Sequence, residues 1–285
     1  VSYADYPITY RQQECQRILR AVIAGDSAYI VGLSGAGKSN LLGFLAERHA
    51  PDEARLVYVD LNRLIDSSPN AIFSVIRESL GERGLDDDFR AADGAIKRGI
   101  EALGANGRLA LLMDTGLLAS KFDAVNDKQD NTIYRNLRAL RDANKNRLSL
   151  VLAARRPLPE RSELSELFLA NTFWLGPLNK DDAAWTIQHY AKRYNLILSA
   201  LIESKIIAFT GGYPSFIRAV CEAWRTAKSP IDQALIDHPV VAARLTEFWN
   251  EQPTTAELKA SGIENAPILR VKPKIFVERN TAWLF

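Results

Sequence analysis

The 285-residue sequence predicts an α/β fold in which a parallel sheet is followed by a region of helices only. Three observations lead there. A short apolar run, residues 27–31 (SAYIV), stops at the glycine-rich stretch GLSGAGKS and gives way at once to a helical pattern. Strand-like runs then alternate with helical ones as far as residue 175. Beyond Gly176 and Pro177 the strand signal disappears. Alternation of this kind requires crossover connections, and crossovers cover both faces of a parallel sheet.

Residues 27–31 are aromatic and β-branched enough to read as a buried strand. From Lys38, the positions Leu41, Leu42 and Leu45 recur at helical spacing until Pro51 breaks the pattern. Further strands are predicted at 56–59, 109–113, 148–152 and 172–175, with helices at 69–80, 89–103 and 133–144. Ser68 is placed to cap the first of these helices, and Pro69 suits its first position. After residue 177, Asn179 caps a helix running towards Tyr194, Ser199 starts another ending near Thr210, and Pro214 begins a third that fades by Lys228. These three form a small helical lid. A helix through Leu245, Phe248 and Trp249, a short one at 255–260 and a hairpin-like alternation at 268–277 around Pro273 suggest a winged-helix-like module. The expected domains are therefore 1–175, 176–228 and 229–285.

Composition bounds the function. Hydrophobic residues at 47% and charged residues at 25% are ordinary for a soluble globular chain. No apolar run approaches the ~20 residues of a membrane span and no signal-peptide pattern opens the chain, so no membrane partner is expected. Cys15 and Cys221 lack any CxxC partner, which argues against a disulfide framework or zinc site and favours a cytoplasmic location. His49, His189 and His238 show no metal spacing. A net charge of +2 makes no global case for nucleic acid, although residues 131–161 carry eight basic residues against Asp142 and Glu160. A start at Val1 with Met113 as the only methionine suggests a trimmed chain or a piece of a longer one.

The stretch from Gly32 to Ser39 fits G-x-x-x-x-G-K-[ST], the Walker A pattern. Its glycines, Gly32, Gly35 and Gly37, let consecutive backbone N–H groups turn inward around phosphate oxygens while the next helix points its positive end at them. Lys38 would reach the β- and γ-phosphates, and Ser39 would place its hydroxyl on Mg2+. Ser34, Ala36 and Asn40 complete the expected binding set for ATP or ADP. The magnesium shell also needs a carboxylate at the end of a neighbouring buried strand. Asp114, after the fully apolar LALLM, is the first candidate and Asp60 the reserve. The residue after Asp114 is Thr115, which cannot act as a base at neutral pH. Either a carboxylate of the polar stretch 123–130 substitutes, or hydrolysis is slow.

Arg135, Arg138 and Arg141 flank the stripe Ile133, Leu137 and Leu140, which reads as the solvated side of an amphipathic helix, with a polyanion contact or an arginine lent to a neighbouring subunit as alternatives. Arg155 and Arg156 follow the strand at 148–152, whose end opens onto the crevice of the phosphate loop. Arg155 is the candidate sensor of γ-phosphate charge.

Over its first 230 residues or so the order of features resembles the AAA+-like and STAND nucleotide switches, a group of P-loop ATPases related to origin-recognition ATPases. The matching pieces are Tyr10-Arg11 with Glu14, GLSGAGKS, LALLMD, LSLVLAARRP, LGPLNKDDA and GGYPSF. The resemblance implies a RecA-like P-loop core, a helical lid and a winged helix with nucleotide held between them, Pro214 against the base, and residues 8–11, including Tyr10 and Arg11, around the base pocket. Thr115 departs from the usual acid, and no histidine motif stands out in the last module beyond His238.

Three functions are expected in descending order. The first is a STAND-type switch, in which ADP and ATP states control self-association or flanking effector and sensor domains. The second is a nucleic-acid-loading AAA+ ATPase, which the six basic against five acidic residues of 239–285 support poorly. The third is a scaffold that keeps its nucleotide without turnover. A metabolic kinase is a fourth, with no obvious acceptor site in the helical tail.

Overall fold

Five strands form one sheet in the order β2-β3-β4-β1-β5. They are β1 (Ala28–Val31), β2 (Ala54–Asp60), β3 (Arg108–Asp114), β4 (Leu148–Ala154) and β5 (Thr172–Trp174). The pairings of β2 with β3, β3 with β4 and β4 with β1 are all parallel. The structure, a computed structural model, describes residues 3–64, 68–82, 89–115, 128–158, 165–227 and 230–270. The chain divides into two units, Val1–Val31 with Lys38–Phe173, and Gly32–Gly37 with Trp174–Phe285.

In the first unit, β1 and β4 are buried at every residue and β3 at every residue but Arg108. That leaves no polar alternation along the central strands, the mark of a sheet covered on both sides. The covering helices are α1 (Gln12–Ala24), α2 (Lys38–Arg48), α3 (Pro69–Ser79), α4 (Phe89–Glu101) and α5 (Lys128–Asn144), with α6 (Ser165–Phe168) a single turn. Ser68 caps α3 by accepting from Ala71 N at 3.3 Å, as its position before Pro69 predicts. Phe44 of α2 is fully buried in a ring cluster with Tyr10 and Tyr6 at centroid distances of 5.4 and 5.8 Å. Each such burial contributes about 1.5–3 kcal/mol, so α2 is anchored through its apolar side while its first residues stay at the loop.

The second unit contains α7 (Lys180–Arg193), α8 (Ala200–Thr210), α9 (Pro214–Ala227), α10 (Pro239–Asn250) and α11 (Thr255–Ala260). Asn179 and Ser199 cap α7 and α8 by accepting from Asp182 N and Ile202 N, and Thr254 forms a full capping box with Glu257 on α11. The unit is centred on Tyr213, Phe216 and Phe248, whose rings lie 5.1–6.0 Å apart. Ile263, Ile268 and Leu269 add to its core. Where a strand is predicted from residue 268, Pro267–Leu269 forms a 3-10 turn that buries Ile268 and Leu269 together, which alternation along a strand would not do. The rest of the expected hairpin, 271–277, lies outside the described residues.

Two predictions follow from this packing. Asn179→Ala should lower unfolding stability by about 1 kcal/mol, measured by urea denaturation. Cys15 and Cys221 are 1% and 2% exposed, and burial pushes the Cys221 thiol up to about 12. A thiol reagent at pH 8 should leave both unlabelled in the native protein and modify both after unfolding.

Candidate functional site

β1 ends at Val31 and α2 starts at Lys38, so Gly32–Gly37 must turn from strand to helix in a few residues. Gly35 and Gly37 reach this through φ angles of 81° and 91°, a left-handed region that a side chain would strain. Left-handed residues alternating with ordinary ones turn successive N–H groups towards one concave side. The donors are in use: Ala36 N donates to Leu33 O at 3.1 Å, and Ser34 N donates to a carboxylate oxygen of Glu251 at 3.2 Å. The loop thus holds an anionic oxygen on its main chain, the chemistry a phosphate would require.

The loop groups with the second unit, whose residues also fix its carbonyls. Tyr213 Oη donates to Ser34 O at 3.0 Å, and Ser215 N donates to Gly35 O at 3.3 Å. A Cβ at Gly35 would overlap the Ser215 side chain and the Arg244 guanidinium. Pro214 occupies the start of α9 after the left-handed pair Gly211 and Gly212, and its chain neighbours Tyr213 and Ser215 carry these contacts to the loop.

In the first unit the strand ends are level: Asp60 pairs with Asp114, Asp114 with Ala153, and Ala154 with Val31. Asp60, Asp114, Arg155 and the exit of β1 therefore share one edge of the sheet. The two carboxylates differ in their engagement. Asp60 caps its own turn, accepting from Asn62 N at 3.1 Å, Asn62 Nδ2 at 3.2 Å and Arg63 Nε at 3.0 Å. Asp114, only 1% exposed, accepts from Tyr58 Oη at 3.2 Å. Burial, and next the Asp114 charge, hold the Tyr58 phenol well above its ordinary range. The phenol therefore stays a donor to that carboxylate. Tyr3 is pushed up to about 12 by burial first and then by Tyr6, Glu47 and Asp114.

Thr115 sends both its N–H and its Oγ1 to Ala153 O, at 3.2 and 2.8 Å. Its hydroxyl is bound into the sheet edge. Arg155 is half-buried just past β4, while the Arg156 carbonyl accepts from Tyr29 Oη at 2.9 Å. At the start of α2, Lys38 is half-buried, Ser39 is exposed, and Asn40 Nδ2 donates to Tyr6 Oη at 3.2 Å. Tyr10 and Arg11 are 2% and 1% exposed, with Arg11 at φ 47° and ion-paired to Glu14 at 2.9 Å. Both lie in the interior of the first unit. On α5, Arg138 pairs with Glu166 and Asp142, and Arg141 donates to Gly25 O at 2.9 Å. Of the stretch 123–130, expected to offer a substitute base, residues 123–127 lie outside the described residues.

Sequence reasoning missed Tyr58, Tyr213, Ser215, Arg244 and Glu251. Tyr58 stands two residues before Asp60, and Tyr213 and Ser215 flank Pro214, so a local signal existed for those three. Arg244 and Glu251 carry none.

A sheet ordered in this way, a glycine loop leading from β1 into a helix and a carboxylate at the end of β3, one strand removed from β1, define a RecA-like P-loop core. No protein-family model matches the chain, and no curated protein matches it. Solved structures do. A Walker-type ATPase of Pyrococcus abyssi is similar over 87% of this chain and 74% of its own, with a TM-score of 0.60 at 13% identity. The ORC2 protein of Aeropyrum pernix is similar over 95% and 84%, with a TM-score of 0.55 at 14% identity. The ORC1 protein of the same organism, in complex with DNA, is similar over 90% and 72%, with a TM-score of 0.56 at 15% identity. The chain thus has the AAA+-type ATPase fold.

Tyr213→Phe removes the donor to the Ser34 carbonyl and should lower stability by about 0.5–1.5 kcal/mol. Gly35→Ala should lower it by at least about 1–3 kcal/mol, since left-handed strain and overlap act together. Chemical denaturation of the two variants checks both values.

Proposed function

We propose that this chain binds ATP or ADP with Mg2+ and acts as a STAND-type switch whose nucleotide state controls conformation and self-association, with weak hydrolysis. The observation that carries this reading is a main-chain N–H of the Gly32–Gly37 loop donating to an anionic oxygen directly ahead of Lys38. A loop built to hold carboxylate oxygen on backbone amides suits phosphate oxygen equally. Ser34, Gly35, Ala36, Gly37, Lys38 and Ser39 would hold the phosphates, and Ser39 with Asp114 would hold the metal, which supplies charge neutralisation. Asp114 is preferred to Asp60 because the Asp60 oxygens are engaged by Asn62 and Arg63. Asn40 completes the binding set, Tyr10, Arg11 and Pro214 remain the candidates around the base, and Arg155 is the candidate phosphate sensor. With Tyr10 and Arg11 buried, a role for them requires a rearrangement of the N-terminal segment.

Weak turnover follows from Thr115, whose hydroxyl donates to Ala153 O and cannot take a proton from water. Slow hydrolysis suits a two-state device, because each nucleotide state then persists long enough to bias conformation. The helical lid (176–228) and the winged-helix-like module (229–285) would be the elements that respond. A location in the cytoplasm fits, and no helix among the described residues is long and apolar enough to cross a membrane.

A nucleic-acid-loading ATPase is the second reading, favoured by the likeness to an ORC1 protein in complex with DNA. The pairing of Arg138 with Glu166 and Asp142, and of Arg141 with Gly25, weighs against it, since these arginines are engaged within the fold.

Lys38→Ala should weaken ATP and ADP binding by about tenfold to a hundredfold. Asp114→Asn should abolish the Mg2+ dependence of that binding, and Asp60→Asn should preserve it. Equilibrium binding of a fluorescent nucleotide checks all three. Equal losses in Asp60→Asn and Asp114→Asn would contradict the metal assignment. Steeply salt-dependent DNA binding would favour the second reading.

A further inference from the structure

Glu251 caps the C-terminal end of α10, where the helix dipole disfavours negative charge. Its carboxylate nevertheless faces inward and accepts from the Ser34 amide of the phosphate loop. Arg244, Glu247 and Glu251 follow at helical spacings of three and four, so one side of α10 carries all three. Arg244 Nη1 pairs with Glu247, its Nη2 lies against Gly35, and its Nε is buried without a hydrogen-bond partner. The Ser215 hydroxyl, beside the same glycine, is likewise buried without a partner. The Arg244 guanidinium, through Nη2, and the unsatisfied Ser215 hydroxyl thus lie against Gly35, one residue from the Ser34 amide that holds the Glu251 carboxylate. All of these residues belong to the second unit.

We infer that Glu251 is a resident anion of the phosphate loop, standing where a terminal phosphate group of a nucleoside triphosphate would bind, with Arg244 as the cation of that seat. The inference rests on the nucleotide-binding reading above and adds a specificity determinant to it. A phosphate offers several strong acceptor oxygens where the carboxylate offers two, so it can engage the Arg244 guanidinium and satisfy Ser215 Oγ as well as the Ser34 amide. A diphosphate that leaves the seat untouched coexists with Glu251. A triphosphate must displace it. Glu251 therefore lowers affinity for triphosphate selectively, and the loop favours diphosphate until α10 withdraws its carboxylate.

Calorimetric titration with Mg-ATP and Mg-ADP tests this on the wild type, Glu251→Ala, Glu251→Gln, Arg244→Ala and Lys38→Ala. Glu251→Ala should tighten ATP binding about tenfold and leave ADP within about twofold. Glu251→Gln, which keeps shape and an acceptor but no charge, should move in the same direction by less, and it serves if the alanine variant does not fold. Arg244→Ala should weaken ATP about tenfold with little change for ADP. An unchanged ATP-to-ADP ratio in both Glu251 variants overturns the inference while leaving nucleotide binding intact, provided Lys38→Ala still loses affinity for both. A wild-type chain that binds neither nucleotide overturns the inference together with the reading beneath it.

Discussion

The Ser34 N–H holding an anionic oxygen at the turn from β1 into α2 is the contact on which the other features converge. Backbone donors at such a turn need acceptors, and the turn supplies only part of them: Ala36 N finds Leu33 O within the loop, whereas Ser34 N reaches Glu251. Left-handed Gly35 and Gly37 allow the turn, while burial of all four residues of β1 sets where it begins. The buried leucines and Phe44 of α2 set where it ends, and Lys38 stands at that boundary. The Tyr213 and Ser215 contacts then hold the loop carbonyls, so the peptide planes whose N–H groups face the anion are fixed from behind.

The sheet edge contributes a second constraint. Parallel register brings Asp60, Asp114 and Ala153 to one level, and hydrogen bonding then separates two carboxylates that share the same rung. One caps its own turn; the other is buried and oriented by a phenol that burial, and next the carboxylate's own charge, keeps protonated. Thr115 follows the second carboxylate and is absorbed into the edge through Ala153.

Much of this was legible locally. The runs that became β1 to β5 announced themselves through apolar composition, α3, α7 and α8 through Ser68, Asn179 and Ser199 at their caps, and the loop through its glycine spacing. Helix α1 was not foreseen, because it starts from left-handed Arg11 without a side-chain cap to mark its beginning. The burial of Tyr10 was equally hidden, since its ring packs against Tyr6 and against Phe44 of α2. Contacts across long stretches of chain leave no local trace. Ser34 and Glu251 are 217 residues apart, and nothing in the pattern around either marks the other. A sequence displays the donors of a binding loop more readily than the acceptor the fold brings to them.

Titration calorimetry with Mg-ATP on the purified wild-type chain, after any co-purified nucleotide has been removed and identified, is the most direct measurement. One nucleotide per chain, bound about tenfold to a hundredfold more weakly by Lys38→Ala, is the expected result. Absence of heat with every adenine and guanine nucleotide, together with no nucleotide released on denaturation, would contradict a phosphate-binding role for the loop.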